Sequence, residues 1–274
     1  MQNIKTLLPA LTKEQVAAVC PQAFASKPSN TVSDKYVFVN TESIIDDMEQ
    51  LGWYPVSASQ RKPRAGVQTR FSSHMIVFQN PDIQITSEEE KLAPSIILIN
   101  SHDGTRTFQF RMGIYRLVCS NGLVIPAEEY TSFRIRHIGY TFDQLRDSMN
   151  KSIERISEKV QLINKMIERE LTEQEQMDLA LKALLVRSGV DSTAVETPKY
   201  SEETLKEVLR PTREADQGDN LWVVFNRVQE AVTRGGFRVG VEGRKAQALT
   251  KIKSFEKDFK VNEKLFEMAL EVLN

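Results

Sequence analysis

The chain has 274 residues, 41% of them hydrophobic and 27% charged, with 36 Lys and Arg against 37 Asp and Glu for a formal net charge of -1. That length supports one large core or two moderate ones, and the charge balance excludes a global field drawing the chain to nucleic acid or membrane. The halves are balanced too, with 14 basic and 13 acidic residues in 1–142 and 22 and 24 in the rest, so electrostatic function must come from local clustering.

Residues 1–35 combine a short amphipathic piece, Leu11 to Val19, with a Pro/Ser-rich stretch from Pro21 to Ser33, and read as an N-terminal arm lying over the first domain. Tyr36 to Asn40 reads as a strand. Asn40 or Thr41 then caps a helix whose stripe is Ile44, Met48 and Leu51, with Gly52 at the left-handed position that stops it. After Trp53 the alternation of Tyr54, Val56 and Ala58 predicts another strand. Arg61 to Gly66 is a basic turn, and further strands are expected at Gln68–Phe78 and Ser95–Asn100, with Glu88, Glu89 and Glu90 in an exposed loop between them. From Ile97 to Pro126 the pattern is strand, Asp103-Gly104 turn, strand, Asn121-Gly122 turn and strand, both turns being tight hairpin chemistry. Tyr130–Gly139 completes a mainly antiparallel sheet.

Beyond Tyr140 the spacing of Phe142, Leu145, Met149, Ile153, Ile156, Val160, Ile163 and Ile167 predicts one long helix. Thr172 and Glu175 form a capping box for the next, ending near Gly189. Residues 190–200 read as a polar loop. Ser201 caps a short helix stopped before Pro211. Leu221, Val224, Phe225, Val228 and Val232 define another helix, closed by Gly235-Gly236, and Gly243–Asn274 reads as helical with a break near Asn262. The expected fold class is therefore α+β: an arm at 1–35, a sheet domain with one or more helices at 36–140, and an all-helical region at 141–274 beginning with a long helix.

Chemical motifs are mostly excluded. His74, His102 and His137 are isolated, and no Cys or His pair has metal-ligand spacing. Neither a Walker pattern nor G-x-G-x-x-G occurs, and Gly236, Gly240 and Gly243 read as turn residues. Cys119 follows Leu117-Val118 in an expected strand and reads as a packed apolar residue; Asp103 beside His102 reads as a turn former. No catalytic residue, metal or cofactor is assigned. Two cysteines, Cys20 and Cys119, fit a reducing compartment. No apolar run reaches the roughly 18 residues of a membrane span, and the N-terminus lacks a signal peptide's apolar core. A cytoplasmic protein with no membrane partner is expected.

The positive signal is basic. No Asp or Glu occurs from Gln50 to Pro81, where Arg61, Lys62, Arg64 and Arg70 supply four charges, and none occurs between Asp103 and Glu128. Arg106, Arg111 and Arg116 add charge to the central strands, and Arg134 and Arg136 share a face of the last one. Such a groove could track a phosphate backbone, with Trp53, Tyr115 or Phe71 available for base stacking.

Four stretches resemble the phage/plasmid-like family catalogued as a domain of unknown function: Ile99 to Gly104, Arg116 to Gly122 (Arg-Leu-Val-Cys-Ser-Asn-Gly), Asn220 to Glu230 (with Leu-Trp-Val-Val-Phe-Asn), and the basic run from Gly243. That resemblance implies carriage on a virus or plasmid and supplies no catalytic residues. A second is to the single-strand annealing proteins of phage and eukaryotic recombination, in which a helix and then Gly-Trp precede a curved antiparallel sheet and a further helix. Ile44–Leu51, Gly52-Trp53 and the strands up to Gly139 follow that order. It implies an oligomer laying single-stranded DNA along a basic groove. The expected function is thus single-stranded nucleic-acid binding, with strand annealing by a homo-oligomer in recombination or replication. The alternative is a protein-binding factor that interferes with a host or defence protein.

Overall fold

A computed structural model describes residues 9–60, 71–83, 85–86, 91–116, 122–123, 143–144, 146–147, 150, 161–190 and 197–273. The chain divides into two compact units. One comprises Met1–Leu123 with Ala127–Ser157, the other Val124–Pro126 with Glu158–Asn274.

The first unit opens with α1 (Lys13–Val19), whose Thr12 and Gln15 make a reciprocal capping box, and a 3-10 turn at Pro21–Phe24. Val16, Cys20 and Ala23 are fully buried, so this segment contributes directly to the core. Helix α2 (Thr41–Gln50) is capped by the Asn40 side chain, which accepts from the backbone N–H of Glu42 and Ser43. Ile44, Ile45 and Met48 are its buried stripe, and Gly52 ends it at φ 81°. Residues 36–40 do not form the expected strand. Val39 gives its carbonyl to the Asn100 side chain, and the Tyr36 hydroxyl donates to the Ser101 carbonyl. Side chains, not a ladder, satisfy this extended piece.

The sheet contains β1 (Tyr54–Gln60), β2 (His74–Gln79), β3 (Ile85–Thr86), β4 (Lys91–Asn100), β5 (Gln109–Arg116) and β6 (Gly122–Leu123). It is antiparallel in the order β1-β2-β4-β5-β6, with β3 on β4. Ile76, Leu98 and Phe110 are neighbours in register, as are Phe78 and Ile96. They pack with Trp53 and the buried faces of α1 and α2 into one cluster. Each fully buried Ile or Leu there contributes about 1.5–3 kcal/mol. Val77, Ile97 and Ile99 of the opposite face are also buried, outside that cluster.

Two turn expectations are corrected. Asp103-Gly104 is not a two-residue hairpin: residues 101–108 make a longer connection, in which Asp103 caps Thr105 and Gly104 takes φ 74°. Gly122 is a strand residue paired with Tyr115 rather than the second residue of a tight turn. Glu88–Glu90, Cys119 and Tyr130–Gly139 lie outside the described residues.

Residues 161–168 of the second unit are helical, as are 143–144, 146–147 and 150 of the first, consistent with the long-helix expectation; 151–160 lie outside the described residues. The second unit continues with α3 (Glu173–Ser188), α4 (Glu202–Leu209), α5 (Leu221–Arg234) and α6 (Phe255–Leu273). Thr172 and Glu175 form the capping box of α3, Gly189 closes it at φ 76°, and Ser201 caps α4. Helix α5 is the hub, packed against α3, α4 and α6. Trp222 and Phe225 stack at 6.0 Å, and Phe225 meets Phe266 edge-on at 6.1 Å. The end of the chain differs from expectation twice. A hairpin of β7 (Arg238–Val239) and β8 (Gln247–Ala248) occupies part of the segment read as helix. Asn262 does not break α6, because its amide donates to the Asp258 carbonyl while its oxygen accepts from Gln229 at 2.7 Å.

Candidate nucleic-acid interface

Strand β1 ends at Gln60 and β2 begins at His74, paired with each other and, through His74, with Asn100 at the end of β4. The connection carrying Arg61, Lys62, Arg64 and Arg70 therefore leaves the sheet at the same end as the 101–108 loop carrying Arg106. The two are joined directly: the His102 backbone N–H donates to the Phe71 carbonyl at 2.7 Å. Residues 61–70 themselves lie outside the described set, while Phe71, the next in the chain, is half-buried.

Beneath this end is a buried polar chain. Asn100 donates its amide to Val39 O and Thr41 Oγ1, at 3.1 and 3.0 Å, and accepts from the Ser101 N–H at 2.8 Å. Thr41 Oγ1 lies 2.9 Å from His74 Nε2, and His74 Nδ1 lies 3.3 Å from the Ser72 carbonyl. A carbonyl only accepts, so Nδ1 carries the proton and Nε2 accepts from Thr41, which fixes the tautomer by elimination. The His102 ring stands 5.0 Å from that of His74 and 4.8 Å from Phe38. Neither His102 ring nitrogen has a hydrogen-bond partner among the described residues; the Ala23 backbone only weakly favours its charged form.

Both imidazoles are held neutral. Burial, and then the neighbouring His102, push His74 down to about 3. Burial pushes His102 down to about 4 against the opposing pull of Asp103. Burial and the Asp103 carboxylate raise the Tyr36 hydroxyl to about 12. The cluster is thus an uncharged, hydrogen-bonded footing for the two connections. Sequence reading missed it, because the pairing that joins His74 to the end of β4 leaves no local signal.

Arg106 is half-buried, and its backbone N–H donates to Ser101 Oγ at 2.9 Å. Arg111 is also half-buried, opposite Ile97, and its Nε and Nη2 both donate to Gln109 Oε1 at 3.3 Å. Arg116 pairs with Leu92, five residues along the strand from the Arg111–Ile97 pair, so its backbone is about 17 Å further along β5. The register therefore groups Arg106 and Arg111 towards one end and leaves Arg116 and Tyr115 towards the other. Trp53 is only 1% exposed, within the core; its place as a stacking platform is corrected, since no base can reach its ring. Arg134 and Arg136 lie outside the described residues.

The second unit holds cations of two kinds. Arg213 makes a bidentate pair with Glu230 at 2.5 and 2.6 Å and also reaches Asp216 at 2.9 Å, while Arg234 reaches Glu230 at 2.8 Å. These are structural. Lys253, Lys257, Lys260 and Lys264 are exposed and form no ion pair among the described residues. Their i, i+4, i+7, i+11 spacing is legible in the sequence, but the sheet arginines dominate a reading made from acid-free stretches alone. Among the described residues no group of three or more His, Cys, Asp or Glu is placed to hold a metal, and no helix is long and apolar enough to cross a membrane.

Comparison with known proteins extends over most of the chain. A family model described as a domain of unknown function (DUF932) matches residues 28–265. The UPF0380 protein YfjQ of Escherichia coli K12 is 30% identical over 266 residues, covering 94% of this chain and 90% of the relative. The UPF0380 protein YafZ of the same strain is 30% identical over 263 residues with the same coverage. No solved structure matches.

Proposed function

This chain belongs to the DUF932 family, and on that premise we propose that it binds single-stranded nucleic acid without a cofactor, in a phage- or plasmid-like setting where strand annealing by an oligomer is the activity it would serve. The observation that carries the reading is topological. The acid-free segment with Arg61, Lys62, Arg64 and Arg70 is anchored at the sheet end that also bears Arg106, and the Phe71–His102 bond ties the two connections together. Arg111 lies two residues inside that end of β5.

Phosphate contacts fall to these arginines and Lys62, with Phe71 as the nearest aromatic for stacking. Arg116, Arg134 and Arg136, with Tyr115, extend the same proposal along the strands. Phosphate neutralisation gives affinity without sequence preference and makes it salt-dependent.

The rival reading, a protein-binding factor acting on a host or defence protein, is favoured by the net charge of -1. Fluorescence polarisation with a labelled single-stranded oligonucleotide at low salt tests the proposal. Saturable binding, weakened by Arg106→Ala with Arg111→Ala, is expected. No binding there, together with a bacterial protein captured stoichiometrically from nuclease-treated lysate, would give the field to the rival.

A further inference from the structure

The N-terminal half of α6 has a charge arrangement that folding alone does not favour. Lys257, Lys260 and Lys264 follow one another at spacings of three and four on α6, with Lys253 in the segment just before it, so like charges neighbour one another along one helix face, the geometry in which equal charges repel. Lys257 also lies in the first turn of a helix beginning at Phe255, where the macrodipole disfavours cations. Glu256 and Asp258 share that turn and offset part of that cost. In the same unit Arg213 and Arg234 are matched by Glu230.

Three of these lysines rim a concave site. A cleft of about 330 Å³ lies between the end of α3 and α6, lined by Val186, Gly189, Val261, Glu256 and Lys257, Lys260 and Lys264. Two carbonyls at the end of α3 are satisfied: Val190 N–H donates to Leu185 O at 3.0 Å, Ser188 Oγ to the same carbonyl at 2.9 Å, and Gly189 N–H to Val186 O at 3.1 Å. The end of α3 is the negative pole of its macrodipole, so the attraction for an anion must come from the lysines. Two valines give an apolar wall, and lysines give a cationic edge that rises about 10 Å from Lys257 to Lys264.

We infer that this face is a second phosphate-binding surface, along which one nucleic-acid strand runs with its phosphates on Lys253, Lys257, Lys260 and Lys264 and a base against Val186 and Val261. An unpaired base is required to fill the cleft, which selects a single strand over a duplex. The inference rests on the proposed function and adds to it a surface on the other unit.

The test is polarisation of a labelled single-stranded oligonucleotide across a salt series, on the full chain. Replacing the four lysines together by Gln should weaken binding at least about tenfold at 100 mM salt and reduce the slope of log affinity against log salt by about 2–3, at roughly 0.7 for each phosphate left without its cation. Replacing them by Arg should restore both. Replacing Lys165, Lys199, Lys206 and Arg210 by Gln makes the same change in net charge at exposed positions elsewhere in the unit, and should leave the slope unchanged. Unaltered binding by the Gln variant of α6, while the wild type binds, overturns the inference and leaves the proposed function standing. Failure of the wild type to bind removes both. Tighter binding of the wild type to anionic phosphatidylserine vesicles than to the oligonucleotide, lost in the Gln variant, also overturns it in favour of a lipid surface.

Discussion

His74 and His102 are both fully buried, and the neutral form of each is the one the fold accepts. A histidine whose folded pKa lies below its unfolded value near 6.5 contributes fully above that value. It penalises the fold progressively as pH falls towards 3 or 4, by about 1.4 kcal/mol per pH unit for each ring once unfolding takes up a proton. Denaturant unfolding at stepped pH should therefore show stability falling below about pH 6.5. Carboxylates contribute to any acid limb, so His102→Phe isolates the effect. Its ring lacks hydrogen bonds among the described residues and already lies against Phe38, so the substitution should hold stability at pH 7 within about 1 kcal/mol and make the acid limb shallower. An unchanged acid limb would show that His102 is not held neutral. Asn100 is the opposite case. Its side chain serves Val39, Thr41 and Ser101 at once, and Asn100→Ala should cost about 2–3 kcal/mol by leaving buried groups unpaired, read by the same denaturation.

At the scale of elements, two joints carry sharp expectations. Gly235 follows α5 at φ 62°, and a Cβ there would stand 2.3 Å from the Leu249 carbonyl oxygen. Gly235→Ala should lower stability by more than about 2 kcal/mol, seen as a drop in midpoint on chemical unfolding, whereas Gly189→Ala, with open space around it, should cost less. Gln229 and Asn262 pair across α5 and α6. Removing either alone should destabilise by about 1–3 kcal/mol, while replacing both by Leu should be closer to neutral. That buried pair also explains why Asn262 could not be read correctly. A polar residue within an apolar stripe reads as a break until its partner on another helix is known. Local chemistry was legible wherever it was self-contained: the Asn40 cap, the Thr172–Glu175 box, Gly52, Gly189 and the stripe of α5 all appear as their residue types imply. It failed where a distant group intervened. Val39 was taken by Asn100 instead of a neighbouring strand, and Asp103 satisfied its own loop instead of a tight hairpin. The candidate site divides the same way. Its basic residues were visible in the chain, but the strand order that brings the 61–73 connection to the 101–108 loop was not.

At the scale of the whole molecule the total charge is nearly zero, so any polyanion binding must come from local clusters of cations. In the first unit the proposed cations are Arg106 at one end of the antiparallel sheet and Arg111 two residues inside it, with the segment bearing Arg61, Lys62, Arg64 and Arg70 outside the described residues. In the second, Lys257, Lys260 and Lys264 form a stripe along α6, with Lys253 just before it. A protein built this way would bind a polyanion through local fields rather than through net charge, and that binding must weaken steeply as counterions compete for the phosphates. The most direct measurement is the affinity of the full-length chain for a single-stranded oligonucleotide between 50 and about 300 mM salt. The account predicts a linear fall in log affinity with log salt, of slope about 3 or steeper, corresponding to at least about four neutralised phosphates. Absence of binding at the lowest salt, or an affinity that does not respond to salt, would contradict it.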